Sequence, residues 1–245
     1  MRGNTVSGTV RATTVRAGEV EKFDALAARW WDPRGPMAPL HAMNPLRTRW
    51  IAERLRRGGD LTGLTILDVG CGAGLASEAL ARRGARVTGL DMAGEALSVA
   101  RTHAAASGLD ISYRESRPED LPDDLRGTFD AVVALEVVEH VADRDAFLGA
   151  LARAARPGGM VFLSTLNRTP RSFLMAKVGA EYVLRLLPRG THDWRSFVTP
   201  AELGDGLRRA GFRVADLSGM AMDVRGGWRE TRDVGVNYII AAKRA

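Results

Sequence analysis

The chain has 245 residues, 45% of them hydrophobic and 26% charged, which suits one large soluble domain that buries its own core without disulfides or a structural metal. Its single cysteine, Cys71, excludes an internal disulfide and fits a reducing compartment, and no apolar run is long enough to cross a bilayer. A net charge of +6 and a sequence pI of about 10.2 suit anionic partners, phospholipid headgroups or nucleic acid, or a diffuse surface charge with no partner.

Residues 1–18 are rich in Thr, Val and Gly and free of acids, without the Ser content or length of a transit peptide; they read as a disordered tail. From Glu19 the apolar spacing of Val20, Phe23, Ala27 and Trp30 predicts a helix. A Pro-rich stretch, 33–45, interrupts it, and a second amphipathic helix is expected from Leu46 to about Arg56. Residues 19–58 therefore read as a helical lid ahead of a domain spanning 59–245. In that domain short β-rich runs at 65–69, 86–91, 111–115, 129–135 and 160–166 alternate with helical runs at 75–83, 95–106 and 144–155. Gly84 and Gly108 stand where helices should stop. Such alternation implies parallel strands with right-handed crossovers, hence an α/β fold with a doubly wound, Rossmann-like sheet. The segment 167–198 breaks the alternation and reads as a helical insertion before the last strands. Thr199-Pro200-Ala201-Glu202 then opens a helix with a capping box, and runs 212–217 and 234–242 would complete the sheet.

The strand Thr65–Val69 leads straight into Gly70-Cys71-Gly72-Ala73-Gly74 and a helix, the context in which a glycine-rich turn holds a cofactor. A dinucleotide site would need Gly three residues after Gly72, where this chain has Leu75. Asp68 would repel a pyrophosphate but suits the cationic amino acid end of S-adenosylmethionine. Asp91, ending the second strand beside Met92, can accept both ribose hydroxyls. Glu119, in Pro118-Glu119-Asp120-Leu121, stands where adenine is usually gripped, with an ordinary acidic turn as the alternative. Leu135, ending the fourth strand, would pack against the adenosine or serve only as strand core.

After Leu135 come Glu136, Glu139 and His140, spaced so that one helical turn could bring all three together. Two carboxylates and an imidazole suit a divalent cation, while His140 is also a candidate general base for a phenol that titrates at ~10. Glu136 can otherwise face the cofactor while Glu139 and His140 only stabilise a turn. An Asn/Asp-Pro-Pro-aromatic loop after the fourth strand, used on exocyclic amines of bases, is replaced by Leu135-Glu136-Val137, which argues against nucleic acid as substrate.

Beyond the cofactor turn, several runs carry a specific likeness: Arg29-Trp30-Trp31-Asp32, Asn44-Pro45-Leu46-Arg47, Ser164-Thr165-Leu166-Asn167-Arg168, Val178-Gly179-Ala180-Glu181-Tyr182 and Gly190-Thr191-His192-Asp193. With Asp68–Gly72, these resemble the ubiquinone-biosynthesis O-methyltransferases over nearly all the chain from Glu19 onward. The resemblance implies a class I methyltransferase that methylates phenolic hydroxyls of polyprenylated ubiquinone precursors at two steps. It implies S-adenosylmethionine contacts at Arg47, Gly70, Asp91 and Leu135, with Gly72 in the same turn, and magnesium in some members at Glu136, Glu139 and His140. An Arg47 guanidinium suits the methionine carboxylate. Departures are small: Ala73 and Leu135 replace a common Gly and Met, and Ala42 stands where an Arg is usual.

A polyprenylated substrate lives in the membrane. Within 173–187, Lys177, Glu181 and Arg185 form one helical stripe and apolar residues cover much of the rest, between Arg171 and Arg189. The segment fits either an interfacial helix on anionic lipid or a lid or dimer helix packed on protein. His192 is a candidate to orient substrate or take its proton, or a polar turn residue, and Trp30 and Trp31 either line the ring site or pack in the lid. The expected setting is the bacterial cytoplasm at the inner membrane, with other quinone-biosynthesis proteins as partners.

Overall fold

The structure, a computed structural model, describes residues 19–174, 194–223 and 227–245. An eight-stranded sheet forms its centre, in the order β3-β2-β1-β4-β5-β8-β6-β7. Strands β1 (Thr65–Val69), β2 (Arg86–Asp91), β3 (Ile111–Glu115), β4 (Phe129–Leu135) and β5 (Ala155–Leu166) run parallel. Strand β8 (Asn237–Arg244) enters antiparallel between β5 and β6 (Phe212–Met222), and β7 (Trp228–Thr231) pairs with β6 at the edge.

Alternation along each strand builds two apolar layers. Leu67, Val69, Val132, Ala134, Val161 and Leu163 face α5 (Arg144–Ala154) and α6 (Pro200–Arg209). Ile66, Ala131, Val133 and Phe162 face α2 (Ala38–Leu55) and α3 (Leu75–Ala81). With both faces covered, the central strands can be almost wholly apolar, which is why Thr65–Val69 is readable as a buried strand. The chain moves outward from β1 through β2 and β3 on one side and β4 and β5 on the other, so the strand order reverses beside β1. Open α/β sheets bind ligands in the crevice at such a point.

The first five strands begin and end close to expectation; only β5 differs, opening at Ala155 and not 160. Its first residues, Arg156-Pro157-Gly158-Gly159, look like a turn, and the pairing with β4 shifts register there. Gly84 and Gly108 do end helices, with φ of 94° and 67°. The capping box forms, with the Thr199 hydroxyl accepting from Glu202 N–H and Glu202 Oε2 accepting from Thr199 N–H.

Helix α2 departs from the prediction. It starts at Ala38 and runs straight through Pro45, which leaves the His41 carbonyl without its usual helical donor. Burial outweighs that loss: Trp50 is 2% exposed, while Ile51 and Ala52 are fully enclosed against the sheet. Thus α2 is a layer of the core. Ahead of it, α1 (Glu19–Leu26) and a 3-10 turn, Ala27–Arg29, lie against α4 (Gly94–Ala106). Residues 170–174 begin a helix. The rest of the amphipathic run, His192, and the motifs around 178–182 and 190–193 lie outside the described residues, as does the 1–18 tail.

Candidate active site

Strands β1, β2 and β4 end side by side, so Asp68, Asp91 and Leu135 reach one edge of the sheet. The turn after β1 folds toward β2, with the N–H groups of Gly70 and Cys71 both donating to the Leu90 carbonyl at 2.8 and 3.0 Å. Gly70 and Gly72 have φ of 69° and 51°, where a side chain is strained. A Cβ on Gly70 would lie 2.5 Å from a Val137 methyl, and one on Gly72 2.3 Å from the Trp30 ring. These glycines therefore admit protein side chains as well as exposing backbone.

Asp91 Oδ2 accepts the Gly72 N–H at 2.7 Å and Oδ1 accepts the Ala93 N–H at 2.8 Å. Each oxygen keeps acceptor capacity for a ribose hydroxyl. Burial raises the Asp91 pKa. Met92 is half-buried beside it, and the Ser116 N–H donates to the Asp91 carbonyl, tying the exit of β3 to the same edge. The 3-10 turn after it, Pro118–Asp120, carries a half-buried Glu119.

Beneath the turn, Asp68 is 2% exposed and accepts the Ser77 hydroxyl at 2.5 Å. Burial pushes its pKa up to about 6, with Ser77 and Arg47 opposing and the Asp91 charge adding. Arg47, from α2, is 3% exposed and makes one long hydrogen bond, Nη1 to Glu136 Oε1 at 3.4 Å. Its Nε has no hydrogen-bond partner among the described residues. Burial lowers the Arg47 pKa, and the charges of Glu136, Asp68 and Glu139 act against that fall. A buried guanidinium with an unmet donor among carboxylates is a place for a further acceptor.

Glu136 is the only non-glycine of positive φ among the described residues, at 57°. That conformation costs about 1–3 kcal/mol and is held by its surroundings. Its N–H donates to the Ser164 carbonyl at 3.0 Å, and its Oε1 accepts the Ser164 hydroxyl at 2.6 Å. The left-handed residue turns the chain out of β4 and aims its carboxylate at Arg47. Leu135, just before it, is half-buried against the sheet core.

Val138–His140 form a hydrogen-bonded turn in place of the expected helical turn, with the His140 N–H donating to the Val137 carbonyl. Glu139 is 3% exposed and accepts the Thr165 hydroxyl at 2.9 Å. Burial, then the Glu136 charge, holds its carboxyl well above the usual range, which favours a protonated acid. His140 is half-buried. Among the described residues no three His, Cys, Asp or Glu side chains group as a metal site. Glu139 points to Thr165 while Glu136 serves Ser164 and Arg47, an arrangement that does not by itself support the expected magnesium site at Glu136, Glu139 and His140.

The sequence singled out Trp30 and Trp31 without locating them. Both sit on the glycine turn: Trp30 covers Gly72, and Trp31 Nε1 donates to the Ala73 carbonyl at 3.0 Å. Ser77, Ser164 and Thr165, which hold the three acids, were not singled out for that role; only their places at a strand end and beside the turn hint at it.

The Methyltransferase domain family matches residues 67–163. The ubiquinone biosynthesis O-methyltransferase of Azorhizobium caulinodans is 50% identical over 241 residues, covering 95% of each chain. Its namesake from Pseudomonas paraeruginosa is 47% identical over 233 residues, covering 95% of this chain and 99% of that one. Among solved structures, magnesium protoporphyrin IX methyltransferase from Synechocystis PCC 6803 with bound SAH superposes with a TM-score of 0.64. At 21% identity over 91% of this chain and 94% of that one, it shares the fold.

Proposed function

This chain belongs to the ubiquinone biosynthesis O-methyltransferase family, and from that premise we propose that it methylates phenolic hydroxyls of polyprenylated ubiquinone precursors, at both O-methylation steps. The observation that carries the reading is identity near one half across almost the whole of both chains, not only across the shared cofactor fold. The enzyme is an S-adenosylmethionine-dependent O-methyltransferase.

When bound, the cofactor supplies an electrophilic methyl group. Its site is supported by the unmet Nε donor of buried Arg47, which suits a methionine carboxylate. Asp91 accepts the ribose hydroxyls, and Asp68 beneath the turn balances the amino group. Gly70 and Gly72 bring backbone close, and Met92, Glu119 and Leu135 border the adenosine. A phenol must lose its proton as the methyl group moves, because at a pKa near ~10 it is neutral at physiological pH. His140 is the general base in this reading, while Glu136 is fixed by Ser164 and Arg47; His192 is the second candidate.

Among the described residues no helix is long and apolar enough to cross a bilayer. Phe173 and Leu174 are 46% and 61% exposed where the amphipathic run begins, which supports shallow insertion beside anionic headgroups.

Calorimetry tests the cofactor site. Asp91→Ala should weaken S-adenosylmethionine binding by about 10- to 100-fold, because both ribose acceptors go. Unchanged affinity would remove Asp91 from the site. Magnesium titrated into the wild type decides the metal expectation: a saturable heat lost in Glu139→Gln assigns a cation to these residues, and the absence of a saturable heat removes it.

A further inference from the structure

We propose that residues 24–41 form a latch across the two cofactor loops, and that His103 is the positioning residue that holds it shut. The proposal rests on the cofactor reading, since the loops in question come directly after β1 and β2.

The latch touches both loops. At one end Asp24 Oδ1 accepts the Glu95 N–H at 3.0 Å, capping α4, whose own N-cap residue, Ala93, makes no side-chain cap. At the other, Trp30 covers Gly72 and Trp31 Nε1 donates to Ala73. The apolar contact between them is continuous: Ala27, Trp30 and Met37 pack with Ala73, Ala93 and Ala96. From α2, His41 Nε2 lies 2.8 Å from the Trp30 carbonyl and anchors the tryptophan pair from behind.

His103 stands under this pair. Its ring lies flat on Trp31, centroids 3.5 Å apart and planes 5° from parallel. Its Nδ1 donates to Glu78 Oε1 at 2.6 Å, and Glu78 is fully buried with its other oxygen taken by Arg82 at 2.7 Å. Glu78 belongs to α3, the helix that starts at the glycine turn. The chain Glu78–His103–Trp31–Ala73 therefore leaves the turn through α3 and returns to it through the latch. Methyl transfer itself uses neither His103 nor Glu78.

The turn residues bind in two directions. Gly72 gives its N–H to Asp91, the ribose acceptor, while Ala73 gives its carbonyl to Trp31. Whatever orders this stretch and Asp91 favours the seated latch. By linkage, the seated latch holds the cofactor equally. Opening breaks the Trp31–Ala73 and Asp24–Glu95 hydrogen bonds and the Trp31–His103 stack and parts the apolar contact, which sets a gate on exchange and leaves the chemical step alone.

The test is the rate at which tritiated S-adenosylhomocysteine leaves the full-length enzyme when chased with excess unlabelled S-adenosylhomocysteine. Trp31→Phe keeps the ring and loses the donor; His103→Gln loses the stack; Asp24→Ala removes the cap at the half-exposed end. Each should speed release, about three- to tenfold for the first two, and raise the KM for S-adenosylmethionine while kcat does not fall. His103→Phe, which restores a ring, should recover part of the slow release. Thermal melts identify any variant that fails to fold, and Asp24→Ala keeps the test readable in that case. Release rates equal to wild type in the folded variants would overturn the latch, as would a loss of kcat with KM and release unchanged. A wild type that binds no cofactor would instead sink the functional reading beneath it.

Discussion

Asp68 lies enclosed under the glycine turn with the Ser77 hydroxyl as its donor and the Arg47 charge near it, and burial still pushes its pKa up to about 6 from 3.8. An acid whose folded pKa exceeds its unfolded value holds its proton more tightly when folded. The stability it contributes is present below about 3.8 and is lost as pH rises through about 6. At neutral pH the carboxylate opposes folding. Asp68→Asn should therefore raise stability at pH 7 by about 1–3 kcal/mol in urea unfolding, the gain shrinking toward pH 4, while S-adenosylmethionine binds more weakly. A variant less stable than wild type at pH 7 would show that the Arg47 and Ser77 contacts outweigh burial. The place of Asp68 was legible because an acid ending a buried strand before a glycine turn has few other uses. Ser77 was not, since a serine in an amphipathic helix looks like any other until the helix is docked.

Glu136 and Glu139 show what residue spacing alone leaves out. The i, i+3, i+4 pattern of two acids and His140 presumes a helical turn. The chain instead leaves β4 through a left-handed Glu136, which no propensity argument anticipates for a glutamate. The two carboxylates are claimed by Ser164, Arg47 and Thr165, whose positions depend on β5 and α2.

At the scale of elements, the parallel strands were legible because each is an unbroken apolar run ending in a turn signal. Helix α2 was not. Pro39 and Pro45 suggest a break, yet Pro39 falls in the first turn, where it is tolerated, and Trp50, Ile51 and Ala52 anchor the turns beyond Pro45. Edge strand β7 was missed as well. Its four residues have no apolar alternation, and Glu230 within it is claimed by Trp50, Arg54 and Ser218. The glycine turn makes the sharper prediction at this scale. Gly72→Ala combines a positive φ with a Cβ 2.3 Å from the Trp30 ring. It should cost about 2–4 kcal/mol in chemical unfolding and weaken cofactor binding with it, because the ring must move off the turn. A loss below about 1 kcal/mol, the size of the backbone effect alone, would mean that Trp30 is not seated there.

At the scale of the whole molecule, a net charge of +6 and the exposed Phe173 and Leu174 belong to one question: how the enzyme would reach the polyprenylated substrate proposed for it. Vesicles rich in anionic lipid should sediment the protein, with less bound at high salt, and neutral vesicles should leave it in solution. Replacing Phe173 and Leu174 together by Asp should release it, because both exposed apolar side chains would go and two negative charges would face the headgroups. Equal sedimentation of wild type and variant would assign those residues to a lid or dimer contact. Composition could pose this question but not answer it, since a basic surface serves many anions.

The same fold carries the magnesium protoporphyrin IX methyltransferase of Synechocystis, so the acceptor, and not the sheet, is what distinguishes the function proposed for this enzyme. A methyl-transfer assay with labelled S-adenosylmethionine should offer a short-prenyl catechol, a prenylated monophenol and a soluble catechol side by side. Label should enter both prenylated phenols in preference to the soluble catechol. Preference for the soluble catechol, or no transfer to either prenylated compound, would contradict the account.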